Sequence, residues 1–252
     1  MIHLKRKKKI GLALGGGAVL GAAHIGVLRA LEELEIPISY VAGTSIGAFV
    51  SAFVAFGKRW DEIEELANEL KWLDVSGVSL SQYGLLSNKK MGKLIRESLG
   101  EVTFDQAKIP VAMIATDISN GEKVIMKEGD IATAVMSSTC IPGVFVPVER
   151  GDRLLVDGGI VENVPVTPLK DMGADFIIGV DLISKRSNRR PKNIIEVILN
   201  TVDFTLMTAT KLQTEEADIL ISPDLSAYNM VDTDNVKELI KTGYDEAMRV
   251  LG

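Results

Sequence analysis

Short apolar runs alternate with longer stretches of helical period along almost the whole chain, and no other feature restricts its fold as much. The runs "KIGLALGG" (9–16), "ISYVAG" (38–43), "VAMIATDI" (111–118), "KVIMKEG" (123–129), "RLLVDGG" (153–159), "ADFIIGVDLI" (174–183) and "ADILISP" (217–223) have the length and composition of strands. Between and after them lie segments patterned as helices, at 22–35, 46–57, 61–73, 88–100, 131–139, 194–213 and 236–251. A strand that returns through a helix to the next strand makes a parallel pair. The alternation therefore predicts an α/β fold with a mostly parallel sheet covered on both faces. The centre of the 174–183 run, "FIIGV" (176–180), is continuous and β-branched rather than alternating, as a strand buried on both faces requires. The 46–57 segment is apolar on nearly every side and is predicted to be a buried helix.

No tandem repeat or low-complexity linker divides the chain. Its 252 residues can bury one large core, and the long 194–213 helix must pack on something, so residues 10–252 are expected to form one domain behind a basic tail, 1–9. A net charge of −6 argues against a nucleic-acid footprint. A single cysteine, Cys140, leaves no internal disulfide and fits a reducing, cytoplasmic setting. In "STCIPG" it reads as a small core residue rather than a reactive thiol. The run "KRKKK" (5–9) before "IGLALGGGAVLGAA" has the outline of a secretory signal, but three consecutive glycines suit an inserting helix poorly. The same lysines and arginine would favour a peripheral contact with anionic lipid, or form a solvated tail. No charge-free run is long and apolar enough to span a bilayer; the longest, 41–57, is broken by Gly-Thr-Ser.

The segment "LALGGGAVLGAAHIGVL" reads as strand, glycine turn and helix. Backbone N–H groups at such a turn, opening a helix N-terminus, are suited to an anion. A dinucleotide pyrophosphate and the oxyanion of an ester tetrahedral intermediate are both candidates, beside a purely structural turn. Against the dinucleotide, Gly15, Gly17 and Leu20 do not complete G-x-G-x-x-G, and the next strand ends "YVAGTS" without an acid for the ribose. A phosphate-binding P-loop is excluded because no Gly-Lys-Ser/Thr follows.

Gly43-Thr44-Ser45-Ile46-Gly47 has the form G-x-S-x-G. It sits between the strand "ISYVAG" and the helix "IGAFVSAFV", the context a nucleophile elbow needs. A serine nucleophile needs a base, and the chain has only two histidines, His3 and His24, both before Ser45. The serine–acid–histidine order of the α/β hydrolases is therefore excluded, and the first aspartate, Asp61, rules out the other two triad orders. His24 follows the glycine loop and reads as a loop-bracing residue rather than a base. Asp157, at the end of an apolar strand and before Gly158 and Gly159, is the alternative base; taken alone it could equally be a turn or cap aspartate. A free aspartate ionises near pH 3.9, a poor match for a serine hydroxyl, but burial without a cationic partner raises it.

Gly15-Gly16-Gly17 leading into "GAAHIGVL", the elbow "GTSIG" and "DGG" at 157–159 make the chain resemble the patatin-like phospholipases, with support from 115–122, 137–148, 161–166 and 172–182. The resemblance implies a three-layer α/β/α sandwich acting on acyl esters of lipids, phospholipids among them. It implies Ser45 as nucleophile, Asp157 as general base, the N–H groups of Gly15, Gly16 and Gly17 as oxyanion hole, and Gly43, Gly47, Gly158 and Gly159 as motif glycines. It implies no metal and no organic cofactor. Two positions depart from the pattern: Leu20 stands where arginine or lysine is usual, and Ala18 where a fourth glycine is common. A weakly active or inactive relative with a regulatory or binding role is the alternative, and restoring arginine at 20 is then expected to raise reactivity. Residues 60–100 hold two amphipathic helices with an apolar tether, "VSGVSLSQYGLL". They would cover the site and offer Trp60, Trp72 or Leu85 to lipid, or else pack on the sheet.

Overall fold

The computed structural model describes residues 8–69, 77–81, 84–185, 190–191, 194–229 and 234–252. The expectations for residues 1–7, Trp72, the side chain of Leu85 and positions 187–189 and 192–193 lie outside what it describes.

Five strands run parallel, in the order β11 (Ile219–Ile221), β10 (Phe176–Val180), β1 (Ile10–Leu14), β2 (Tyr40–Thr44) and β5 (Val111–Asp117). Their side chains alternate between two unequal faces. Leu12, Leu14, Val41, Val111, Met113, Ile178 and Val180 enter the main core with α1 (Ala22–Glu33), α2 (Ile46–Ala55), α5 (Ile131–Ser138) and α8 (Val236–Leu251). The other face carries Ala13, Ala42 and Ala112, and against these small side chains lie Val164, Val166 and Leu169 from the start of α6 (Thr167–Asp171) and the segment before it. Alanines in the strand centres thus let an irregular segment approach the sheet at close range, which large residues would prevent. α7 (Ile194–Thr214) meets the turn after residue 157 and the strand β7 (Gly143–Phe145).

The antiparallel part is what the alternation pattern does not foretell. β6 (Glu122–Met126) pairs with β5 through residues 113–117. β9 (Arg153–Asp157) also pairs antiparallel with β5, through 115–117, and β8 (Val148–Arg150) closes the edge on β9. Since β6 occupies one edge of β5 from Met113 to Asp117, β2 and β9 must share the other edge. β2 takes Val111–Ile114 and β9 takes Ala115–Asp117, so the C-terminal ends of these two strands face each other tip to tip. Thr44 pairs with Ile114 and Asp157 with Ala115, adjacent residues of β5.

The described parts of the 60–100 region pack on the body. α3 (Trp60–Glu69) lies on α1, with Ile63 buried and the Trp60 ring stacked by Arg29. α4 (Lys89–Leu99) lies on α5, burying Met91 and Ile95. The apolar tether contributes β3 (Gly77–Ser81) and β4 (Gly84–Ser87), which form a second, three-stranded sheet with β7. Among the described residues no helix is long and apolar enough to cross a membrane.

Candidate active site

Ser45 occupies the single residue between β2 and α2, with φ 55° and ψ −125°. A side chain in this region costs about 1–3 kcal/mol and persists only where its surroundings enforce it. Here they do. The Thr44 hydroxyl donates to the Glu162 carbonyl at 2.9 Å, and the Ser45 N–H donates to the Ser138 hydroxyl at 2.9 Å. The turn is also too tight for side chains on either side. A Cβ on Gly43 would lie 2.3 Å from the Gly47 carbonyl oxygen, and one on Gly47 would lie 2.0 Å from that of Leu14. α2 then begins at Ile46, so its positive N-terminal end lies against Ser45.

Asp157, the last residue of β9, is fixed through its backbone and its carboxylate. Its N–H donates to the Cys140 carbonyl at 2.8 Å, and its own carbonyl accepts from the Thr116 hydroxyl at 2.9 Å. Its Oδ1 accepts the Gly159 N–H at 2.8 Å, which is the capping role of an aspartate before Gly-Gly. Burial pushes its pKa up from 3.8 to about 6, although hydrogen bonds from the Ser45 side chain and the Gly159 N–H pull it back. Ser45 and Asp157 are each only 7% exposed. Cys140 is buried beside this carboxylate, and its thiol donates to the Val146 carbonyl; burial, then the Asp157 charge, pushes its pKa up to about 12. It is a core residue.

The glycine loop abuts the elbow: a Cβ on Gly16 would lie 3.2 Å from that of Ser45. Two of the three glycine amides expected to meet an oxyanion already have acceptors. The Gly15 N–H donates to the Val180 carbonyl at 3.0 Å, and the Gly16 N–H is shared between the Asn163 carbonyl at 3.3 Å and its Oδ1 at 3.2 Å. Among the described residues, the amides of Gly17, Ala18 and Val19 donate to no protein acceptor. The free donors of the loop therefore begin at Gly17 and run into the short 3-10 turn Ala18–Gly21. Ala18 holds φ 51°, a left-handed backbone that suits the fourth glycine better.

His24 is wholly buried, and its Nε2–H donates to the Gly15 carbonyl at 2.8 Å. Burial lowers its pKa from 6.5 to about 4. It braces the loop as a neutral ring. A histidine whose folded pKa is depressed stabilises fully above pH 6.5, and that contribution fades as pH falls toward 4. Leu20 is 0% exposed and belongs to the main core. An arginine there would have to be buried, so Leu20→Arg is expected to cost several kcal/mol and lower Tm by about 5–10 °C, with no gain in serine reactivity. Thermal unfolding followed by probe labelling checks this.

Three contributors escape a sequence reading. Ser138 and Asn163 touch the elbow and loop as described. Glu162, 2% exposed, takes an ion pair from Lys123 at 2.9 Å and hydrogen bonds from Thr167, and so anchors the carbonyl that holds Thr44. For Glu162 and Asn163 only their place in "VENVPV" hints at a role, and for Ser138 only "SSTCIPG"; their partners lie far away in sequence. Among the described residues no group of three or more His, Cys, Asp or Glu side chains is placed to hold a metal ion.

The sheet order and the strand–serine–helix turn against a glycine loop define the class of fold, and comparison with known proteins makes the family definite. Residues 12–170 match the sequence pattern described as patatin-like phospholipase. An uncharacterised NTE family protein of Mycobacterium tuberculosis is 38% identical over 177 residues, covering 69% of this chain and 49% of that protein. Neuropathy target esterase sws of Drosophila melanogaster is 33% identical over 184 residues, covering 70% of this chain and 13% of its own length. A Cryptococcus neoformans protein named lysophospholipase NTE1 is 32% identical, covering 69% and 11%. VipD of Legionella pneumophila shares the fold, with a TM-score of 0.59 at 15% identity over 97% of this chain and 66% of VipD. The type III effector ExoU does so with a TM-score of 0.55 at 14% identity, over 97% and 52%. The chain belongs to the patatin-like phospholipase family, a family of lipid hydrolases. It spans about half the length, or less, of the Mycobacterium, Drosophila and Cryptococcus relatives.

Proposed function

We propose that the protein is a serine acyl-ester hydrolase acting on lipid esters of the phospholipase A, lysophospholipase or esterase type, with Ser45 and Asp157 as its dyad. The observation that carries this is the meeting of the two residues where the ends of β2 and β9 face each other along β5, with the Ser45 side chain close enough to the buried Asp157 carboxylate to lower its pKa. The names of the Drosophila and Cryptococcus relatives, an esterase and a lysophospholipase, support the substrate class.

In the proposed reaction Ser45 Oγ attacks the ester carbonyl carbon while its proton passes to the Asp157 carboxylate. The carbonyl π pair becomes an oxyanion, held by amides of the loop from Gly17 onward and by the N-terminus of α2. Collapse breaks the bond to the alcohol oxygen, which takes the proton from Asp157. Water then attacks the acyl-enzyme, giving its proton to Asp157, and the free acid and Ser45 are restored. A carboxylate at about 6 is a better proton acceptor than one at 3.8, so burial does part of the work that histidine does in a triad. The remainder falls to positioning and to the oxyanion donors.

A fluorophosphonate probe should label the folded protein at Ser45. Its rate should rise with pH through an apparent pKa of about 6, since only ionised Asp157 can take the proton. Two observations favour a second reading, a feebly active relative with a binding role: the committed amides of Gly15 and Gly16, and a core leucine at position 20. Folded protein that resists the probe across that pH range would establish the second reading and exclude the first.

A further inference from the structure

Six large apolar side chains are exposed among the described residues, and they are not scattered. Four lie on α7: Ile194, Val197, Phe204 and Leu212, each between 43% and 66% exposed. At 3.6 residues per turn these four fall within one quarter of the helix circumference, along about 27 Å of its length. The exposed Thr201 falls in the same stripe, and its hydroxyl donates to the Val197 carbonyl at 2.8 Å, so that donor is spent within the helix. The rest of α7 is the side that packs. Thr210 and Thr214 are buried, Gln213 donates to the Val161 carbonyl at 2.8 Å, and Ile198 packs on the cluster of Cys140, Ile141, Val144 and Phe145. The remaining two exposed side chains border the same region. Ile160 ends the 3-10 turn that follows Asp157, and α7 touches that turn. Ile118 follows the last residue of β5, beyond the Ala115–Asp157 pair.

Apolar side chains left in water along a whole helix mark a binding face. Charge identifies what the face binds. In the sequence, the stretch 185–192 just before α7 holds Lys185, Arg186, Arg189, Arg190 and Lys192 and no acid. On the helix itself Lys211 lies beside the stripe, whereas Glu196 falls on the other side. A helical partner or a second copy would call for charges of both signs along the seam. Cations of one sign beside an apolar face suit anionic lipid, with the helix lying in the headgroup plane. Crossing the bilayer is not needed for this, and among the described residues no helix is long and apolar enough to do so. The family's lipid chemistry places its substrates at such a surface.

We propose that the exposed face of α7 docks on an anionic lipid surface, beside the edge of the sheet that carries Ser45 and Asp157. The inference goes beyond the proposed function, since docking needs no turnover.

Co-sedimentation of the full chain with vesicles tests it. One set holds equal parts phosphatidylcholine and phosphatidylglycerol, the other phosphatidylcholine alone. The wild-type chain should bind the mixed vesicles at least about tenfold more tightly, and salt should weaken that binding. Phe204→Glu combined with Leu212→Glu should lower the affinity by at least about tenfold. Both side chains already face water, so the circular dichroism of the double variant should match the wild type. Equal binding by wild type and double variant overturns the proposal. So does wild-type protein that stays in the supernatant with both vesicles or shows no preference for the anionic ones. A wild-type dimer that the double variant turns into monomers, with no vesicle binding in either, assigns the face to a second copy and overturns the proposal too. A second measurement adds no charge. Cys140 is buried, so Phe204→Cys takes a thiol-reactive, environment-sensitive dye selectively. Its emission should shift to the blue on mixed vesicles, and an unshifted emission overturns the proposal. A chain that binds through this face yet leaves esters intact removes the proposed function and leaves this inference standing.

Discussion

Ser45→Ala and Asp157→Asn should each abolish ester hydrolysis, yet shift stability in different ways. In the unfolded chain Asp157 ionises near 3.8, and in the fold near 6. Between those values the folded protein holds the proton more often than the unfolded one, so stability falls as pH rises through the window. Above pH 6 the ionised carboxylate costs the fold its full penalty, about 3 kcal/mol at 1.36 kcal/mol per pH unit. Asparagine removes the charge, keeps an oxygen for the Gly159 N–H, and turns an NH2 group toward the Ser45 hydroxyl. Asp157→Asn is therefore expected to raise Tm at pH 7.5 by about 5 °C while reducing kcat by at least about 10³-fold. The gain should vanish below pH 4, where the wild-type carboxyl is already neutral. Ser45→Ala removes a hydroxyl that lowers the Asp157 pKa, so its Tm should not rise in the same way. Retained hydrolysis in either variant would dispose of the dyad; an unchanged Tm in Asp157→Asn would show that burial does not act on this carboxylate.

The second large effect is steric. A Cβ at Gly47 would lie 2.0 Å from the Leu14 carbonyl oxygen, 2.6 Å from its carbon and 2.7 Å from the Gly15 carbonyl oxygen. All three are backbone atoms, so no rotamer change relieves the overlap. Either the end of β1 or the first turn of α2 must move, and these carry the glycine loop and Ser45. Gly47→Ala is expected to cost about 3 kcal/mol. It should lower probe labelling of the folded fraction by about 10²-fold, as a displacement near 1 Å does at a reacting centre. Chemical denaturation and labelling on the same sample separate the two losses. Near wild-type values for both would mean that elbow and loop do not press on each other.

The central parallel strands could be read from the sequence because their partners share one simple requirement, burial on both faces. Ile10–Leu14, Tyr40–Thr44, Val111–Asp117 and Phe176–Val180 are all visible as apolar runs. The smaller pieces are not. β7 and β8 are three residues each, with Gly143 in one and Glu149 and Arg150 in the other, and they form only because neighbours offer an edge. The tether that became β3 and β4 pairs with β7, a partner more than fifty residues away. For the site, residue types and order singled out Ser45, Asp157 and the glycines. Which amide of the loop is free was invisible, because the acceptors for Gly15 and Gly16 are Val180 and Asn163, remote in sequence. Leu20 illustrates the same limit: a departure from the family pattern is plain in the sequence, but only packing shows that the position faces the core.

The tip-to-tip meeting of β2 and β9 along one edge of β5 has a consequence for how the chain comes to life. β1, β2 and β5, which carry the elbow, all lie within residues 10–117, while Ser138 and Glu162, which hold Ser45 and Thr44, come later. Asp157 reaches Ser45 only when β9 docks onto the last three residues of β5, after a long stretch more has been synthesised. On the proposed dyad, a chain emerging from the ribosome carries its serine for some time without its proton acceptor. On the same proposal, ester hydrolysis is a late event of maturation, and slipping β9 by one residue would remove it while the parallel sheet stays whole.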